Sequence, residues 1–160
     1  MAVNAVNAKG PPEAQLRSLI EKFDPKDQRL IHSVRSAMRK RLPTANELVY
    51  DYRTSVVIGY SPTNHGIDSI VATAARADGV SLYFNQGKQL PDPKKLLMGS
   101  GKQTRFIRVE AASQLKHPDV EALIAAAIEH ATVSLASKGR GELVIKPSAA
   151  KQRPCRKLAK

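Results

Sequence analysis

The chain has 160 residues, a formal net charge of +12, 42% hydrophobic and 25% charged residues, and one cysteine, Cys155. That length suits a single domain with a real core, and one cysteine excludes an intrachain disulfide and any metal site built on several thiolates. No apolar run nears the ~20 residues of a membrane-spanning helix, and the first ten residues lack a signal-peptide pattern, so a cytoplasmic protein without membrane contact is expected.

Residues 1–10 show no periodicity and are expected to be disordered, ahead of a globular domain over 11–137. Pro11 and Pro12 suit a helix start, and Leu16, Leu19, Ile20 and Phe23 recur at helical spacing. Asp24-Pro25-Lys26-Asp27 reads as a second start, with Asp24 as cap and Pro25 at the first helical position. Leu30, Ile31, Val34, Ala37 and Met38 form its apolar stripe, and Pro43 closes it. Arg35, Arg39, Lys40 and Arg41 fall near its C-terminal end, where cations suit the helix dipole.

From Thr54 the pattern changes. Thr54 to Tyr60 is rich in β-branched residues and ends in the turn signal Ser61-Pro62-Thr63-Asn64. Asp68 to Ala77 reads as a second strand, and Asp78-Gly79 as a hairpin turn into Val80–Phe84. Thr104 to Val109 reads as a fourth strand. A last helix starts near Pro118, with Val120, Leu123, Ile124, Ala127, Ile128 and Ala131 on one face. Lys138-Gly139-Arg140-Gly141 ends the body, and Glu142–Lys146 forms a short edge or partner-binding strand. The order predicts an α+β fold: an antiparallel sheet of about four to five strands, with N-terminal and C-terminal helices packed mainly on one face.

Residues 138–160 hold eight Lys/Arg against one acid. Such a tail favours nucleic acid or another polyanion through counterion release. Lys146, Lys151, Arg153, Arg156, Lys157 and Lys160 are its candidate contacts.

The segment Gln89–Val109 contains Gly99-Ser100-Gly101-Lys102, which invites comparison with a phosphate-cradling loop. That loop needs a first glycine where Leu96 stands, a hydroxyl where Gln103 stands, a strand before and a helix after. All four requirements fail. The glycines are read instead as a turn needing positive φ, with Asp92-Pro93 starting a short helical turn and Leu96 and Leu97 packing inward.

Gly87, Leu90, Asp92-Pro93, Leu96-Leu97-Met98-Gly99, Gly101-Lys102 and Arg105-Phe106-Ile107-Arg108 together resemble the YdhG-like family (domain of unknown function 1801). Upstream, Leu42 and Pro43 followed by Glu47 and Tyr50 look like that family's Leu-Pro, Glu and Tyr region, and Tyr83 and Phe84 its strand ahead of the glycine. The similarity spans roughly residues 20–135. It implies a small α+β domain, and some members are described as frataxin-like iron chaperones. An iron role sits poorly with this chain: hard cations collect on carboxylate ridges, whereas the first two helices offer only Glu13, Glu21, Asp24 and Asp27 and then a run of cations.

No enzyme constellation is identifiable. His32, His65, His117 and His130 lack the spacing of a helical metal site and suit surface or capping roles. Cys155 lies in the tail, away from positioned partners. Candidate ligand contacts are Tyr50, Tyr52, Tyr60 and Tyr83, as rings lining a cleft between helices and sheet, with Lys102 and Arg108 beside the glycine turn. Arg105 and Arg108 are an odd number of residues apart and so belong on opposite faces of a regular strand. The leading expectation is therefore a non-enzymatic module that binds a small ligand or a protein, without cofactor or metal. The alternative is polyanion binding by the tail.

Overall fold

Because side chains alternate along a strand, the pairing register sorts this sheet into two unlike faces. The computed structural model describes residues 10–147. Helices α1 (Pro12–Ile20) and α2 (Pro25–Arg41) precede a meander of β1 (Asn46–Tyr52), β2 (Ser55–Ser61), β3 (Val71–Arg76), β4 (Gly79–Phe84) and β5 (Arg105–Val109). Helix α3 (Pro118–His130) and β6 (Leu143–Ile145) follow. The sheet order is β5-β4-β3-β2-β1-β6. All pairs are antiparallel except β1 with β6, which is parallel.

The expected α+β class and the helix starts at Pro12, Pro25 and Pro118 match this architecture. The strand count does not: the sheet is mixed and has six strands. The additional strand is β1, whose Glu47 and Asp51 interrupt its apolar pattern. Leu143–Ile145 joins the sheet beside Glu47–Val49, so the body extends into the segment read as tail. Asp24 does occupy the N-cap of α2, yet its carboxylate makes no capping bond.

The inner face carries the core. Val49, Val56, Ile58, Val71, Val80, Leu82, Phe84, Ile107 and Val109 pack against Leu16, Ile20, Val34, Met38, Leu123 and Ile124 of the helices. Each such burial contributes about 1.5–3 kcal/mol, so stability resides chiefly in this layer.

Among the described residues, no α-helix packs on the outer face. Register places Leu48, Gly59, Ala72, Tyr83 and Phe106 in one cross-strand row there, and Tyr50, Val57, Ala74, Ser81 and Arg108 in the next. Tyr52, Ser55, Arg76 and Gly79 form the third. Small side chains thus floor a trough between Tyr50 and Tyr52 on one side and Tyr83 and Phe106 on the other. The β2–β3 loop crosses one end, where a Cβ on Gly66 would lie 2.2 Å from the Tyr50 hydroxyl.

The Gln89–Val109 segment is built differently from a helical turn. The Asp92 carboxylate accepts from the amides of Leu96 (2.8 Å) and Leu97 (2.9 Å), curling the chain without a helix. Leu96 and Leu97 pack against the core as expected. Only Gly99 of the two glycines has positive φ (114°), and it lies against the Phe106 ring.

Candidate functional site

The larger cleft, about 630 Å³, opens at one end of the sheet, among the β2–β3 loop, the exit of β4, the entry to β5 and the C-terminal end of α3. Ile70, Leu90, Ala127 and Ala131 supply apolar wall, and exposed Ile67 and Val133 supply rim. Its polar lining consists of Asp68, Ser69, Asn85, Gln86, Gln103, Thr104, His130 and Thr132. Several of these are held in place by the protein. Asn85 Nδ2 donates to the Ser69 carbonyl at 2.6 Å, and Asp68 accepts from the Thr63 hydroxyl at 2.8 Å. Gln86 Nε2 reaches the Thr132 hydroxyl at 3.5 Å, across to the segment that follows α3. His130 Nδ1 lies 2.9 Å from the Ala126 carbonyl, so a neutral ring donating there leaves Nε2 as an acceptor. The cleft lining thus offers amides, hydroxyls, one carboxylate and one imidazole, and among the described residues includes no Lys or Arg.

A second depression, about 400 Å³, lies between α2 and the β1 edge and is lined by His32, Arg35, Arg39, Lys40, Glu47 and Arg140 among others. Its floor is an ionic network. Glu47 is buried on β1 and receives Arg35 Nε at 3.0 Å, Arg35 Nη2 at 2.8 Å and the Tyr60 hydroxyl at 3.0 Å. On its exposed side Arg35 grips Glu13 of α1 at 2.8 and 3.0 Å, and Arg39 lies 3.7–3.8 Å from both acids. Burial alone would lower the Arg35 pKa, but its bonds to Glu13 and Glu47 outweigh that and hold it above the ordinary value. Tyr60, fully buried, is raised well above the usual tyrosine range, first by desolvation and then by Glu47. This network ties α1, α2 and β1 together, so its cations are largely matched from within.

Arg35 also sets a pH dependence. Its hydrogen bond holds Glu13 below the ordinary value of 4.5. A carboxylate with a depressed folded pKa stabilises above the unfolded value and loses that contribution as pH falls through the folded one. Stability is therefore expected to decline on acidification below about 4.5. In an acid unfolding titration followed by circular dichroism, Glu13→Gln should flatten that limb.

The residues singled out in the sequence are dispersed. Tyr60 faces the helices and is sealed in the core, whereas Tyr50, Tyr52 and Tyr83 lie on the outer face. No helix-and-sheet cleft brings the four together. Lys102 is exposed in the loop before β5. Arg108 is outward, opposite Ser81, and holds Asp78 in the β3–β4 turn, while Arg105 pairs with Phe84 on the other face, as their odd separation requires. Of the basic tail candidates, Lys146 is described and donates to the Asn64 carbonyl; Lys151, Arg153, Arg156, Lys157, Lys160 and Cys155 lie outside the described residues. His117 caps α3, its Nδ1 accepting from the Asp119 amide at 3.2 Å. The cleft instead uses Asn85-Gln86 and Gln103-Thr104, uncharged polar pairs that border strands, and that adjacency is the signal that could have located it.

Among the described residues, no group of three or more His, Cys, Asp or Glu is placed to hold a metal ion, and no helix is long and apolar enough to cross a membrane. No family model matches the sequence, and no curated protein or solved structure matches it either.

Proposed function

We propose that the chain is a YdhG-like binding module that holds a small, neutral, hydrogen-bonding ligand in the cleft between the β2–β3 loop and the end of α3. The observation that carries this reading is the cleft lining: about 630 Å³ of space walled by Ile70, Leu90, Ala127 and Ala131, with amides and hydroxyls converging from separate segments. That volume and that mixture of apolar wall with a few placed polar groups are typical of small-molecule sites. A lining without Lys or Arg gives an anionic ligand nothing to pair with, and its one carboxylate is already engaged by Thr63. An uncharged ligand such as a polyol or an amide-bearing metabolite meets the lining best. The module works by binding alone, with no residue of the cleft acting as nucleophile.

The test is a thermal-shift screen of neutral polyols, nucleosides and amides against the protein and an Ala131→Phe variant whose ring would fill the cleft. A ligand at ten times its Kd should contribute about 1.4 kcal/mol, raising Tm by roughly 2–6 °C for a domain of this size. The shift should vanish in Ala131→Phe. A panel without effect on the protein, or a shift that survives the filled cleft, would sink the reading. Turnover of a bound compound, lost on substituting a cleft residue, would replace it with an enzymatic one.

A further inference from the structure

The outer face of the sheet lies apart from the cleft and from the ionic network, and it has its own chemistry. Tyr83 and Phe106 stack with ring centroids 5.0 Å apart and planes at 29°. The Arg76 guanidinium lies 5.8 Å from the Tyr83 ring centre and donates to its hydroxyl at 3.1 Å. Diagonally across the Ala72 and Ala74 floor stands Tyr52, three strands and two cross-strand rows from Tyr83 and so about 20 Å away. All these rings are only half-buried. Arg53 in the β1–β2 turn, Arg76 at the end of β3 and Arg108 near the β3–β4 turn gather at one end of the trough. None of the described strand residues facing outward is acidic; the nearby Asp78 sits in a turn and is held by Arg108.

We propose that this face binds single-stranded nucleic acid, with bases stacking on Tyr83 and Tyr52 and phosphates met by Arg76 and Arg53. Rings exposed beside guanidinium groups, on a floor of small side chains, are what unpaired bases and their backbone require. A duplex hides its base faces and could use only the arginines. A second copy of the chain would have to bury Arg76 against a face that offers no carboxylate, at a desolvation cost. The chain's net charge of +12 adds long-range attraction for the same ligand.

The experiment uses the full chain and a fluorescein-labelled single-stranded oligothymidylate, with anisotropy measured at low and at physiological salt. Because the chain has no tryptophan, its tyrosine emission reports stacking directly. The protein should bind, its tyrosine emission should be quenched, and its affinity should fall as salt rises. Tyr83→Leu and Tyr52→Leu should each weaken binding by roughly tenfold, while Tyr83→Phe, which keeps the ring, should bind like the unaltered chain. Arg76→Gln, a change at an exposed side chain, should weaken binding and reduce the salt slope by about one, and it decides the matter where a tyrosine variant fails to fold. Affinity unchanged by these substitutions would mean that another part of the chain binds, and would overturn the proposal. So would absence of binding, equal affinity for a duplex without quenching, or sedimentation showing that the face joins two copies of the chain.

Discussion

Replacing Glu47 by alanine is expected to lower folding stability by about 3–5 kcal/mol, the cost typical of removing one partner from a buried ion pair. Glu47 is 4% exposed and accepts from Arg35 and Tyr60, so its loss strands a guanidinium and a phenol that solvent hardly reaches. Glu13 would still hold the outer edge of Arg35, but it is half-exposed and cannot follow the guanidinium inward. Glu47→Gln should cost less, because an amide oxygen can still accept one of these bonds. Urea unfolding followed by circular dichroism gives the difference directly. A loss under about 1 kcal/mol for Glu47→Ala would show that water replaces the carboxylate and that the network is not dry. Exchanging Arg35, Glu47 and Tyr60 together for Met, Leu and Phe should recover much of the loss, since apolar packing can match a buried ionic cluster once no charge is orphaned.

Gly141→Ala is expected to release β6 from the sheet. A Cβ at Gly141 would lie 1.7 Å from the carbonyl oxygen of Ala45, a backbone atom that cannot rotate aside. Around it, the Gly141 amide donates to Pro43 O at 2.9 Å, the Glu142 amide to Asn46 Oδ1 at 2.8 Å and the Glu47 amide to Glu142 O at 2.8 Å. Overpacking of this kind typically costs about 1–3 kcal/mol, and here it falls on a strand of three residues with one partner. Hydrogen exchange should locate the damage: the amides of Glu47 and Lys146 would lose protection while those of β3 and β4 keep theirs. The freed β1 edge would also present unpaired backbone groups, so concentration-dependent aggregation is the second readout. Protection at Glu47 equal to that of the unaltered chain would mean that β6 docks without this close approach.

Most of the inner layer was legible in the sequence because one principle governs it. Leu30 to Met38 and Val120 to Ala131 repeat at helical spacing, and Thr54–Tyr60, Val80–Phe84 and Thr104–Val109 alternate or run apolar, so periodicity placed those elements. Strand β1 escaped because two of its inward positions are acids. Glu47 is tolerated there only through Arg35, twelve residues earlier on another element, and Tyr60, thirteen later. Such a pairing leaves no local periodic trace. The same blindness affected the tyrosines: Tyr60 sits on a strand read in isolation and Tyr50 on one not read at all, and only the pairing of Glu47 with Tyr60 reveals that they face opposite ways. The cleft went unread for a third reason: its polar pairs at strand ends hint at it, but its walls come from four stretches whose meeting is a property of topology.

The pairing of β6 with β1 also has a consequence in time. Strands β1 to β5 pair with sequence neighbours and can form as a local meander, whereas β6 closes on β1 only after nearly a hundred intervening residues, as the Asn46–Glu142 contact shows with its separation of 96. Closing so long a loop is entropically slow and late. During synthesis the β1 edge, with the Glu47 amide on it, must therefore wait unpaired until the ribosome has delivered the region around Ile145. A chain halted before that point would carry a nearly complete core and an open flank, a difference that quality-control machinery could read as unfinished.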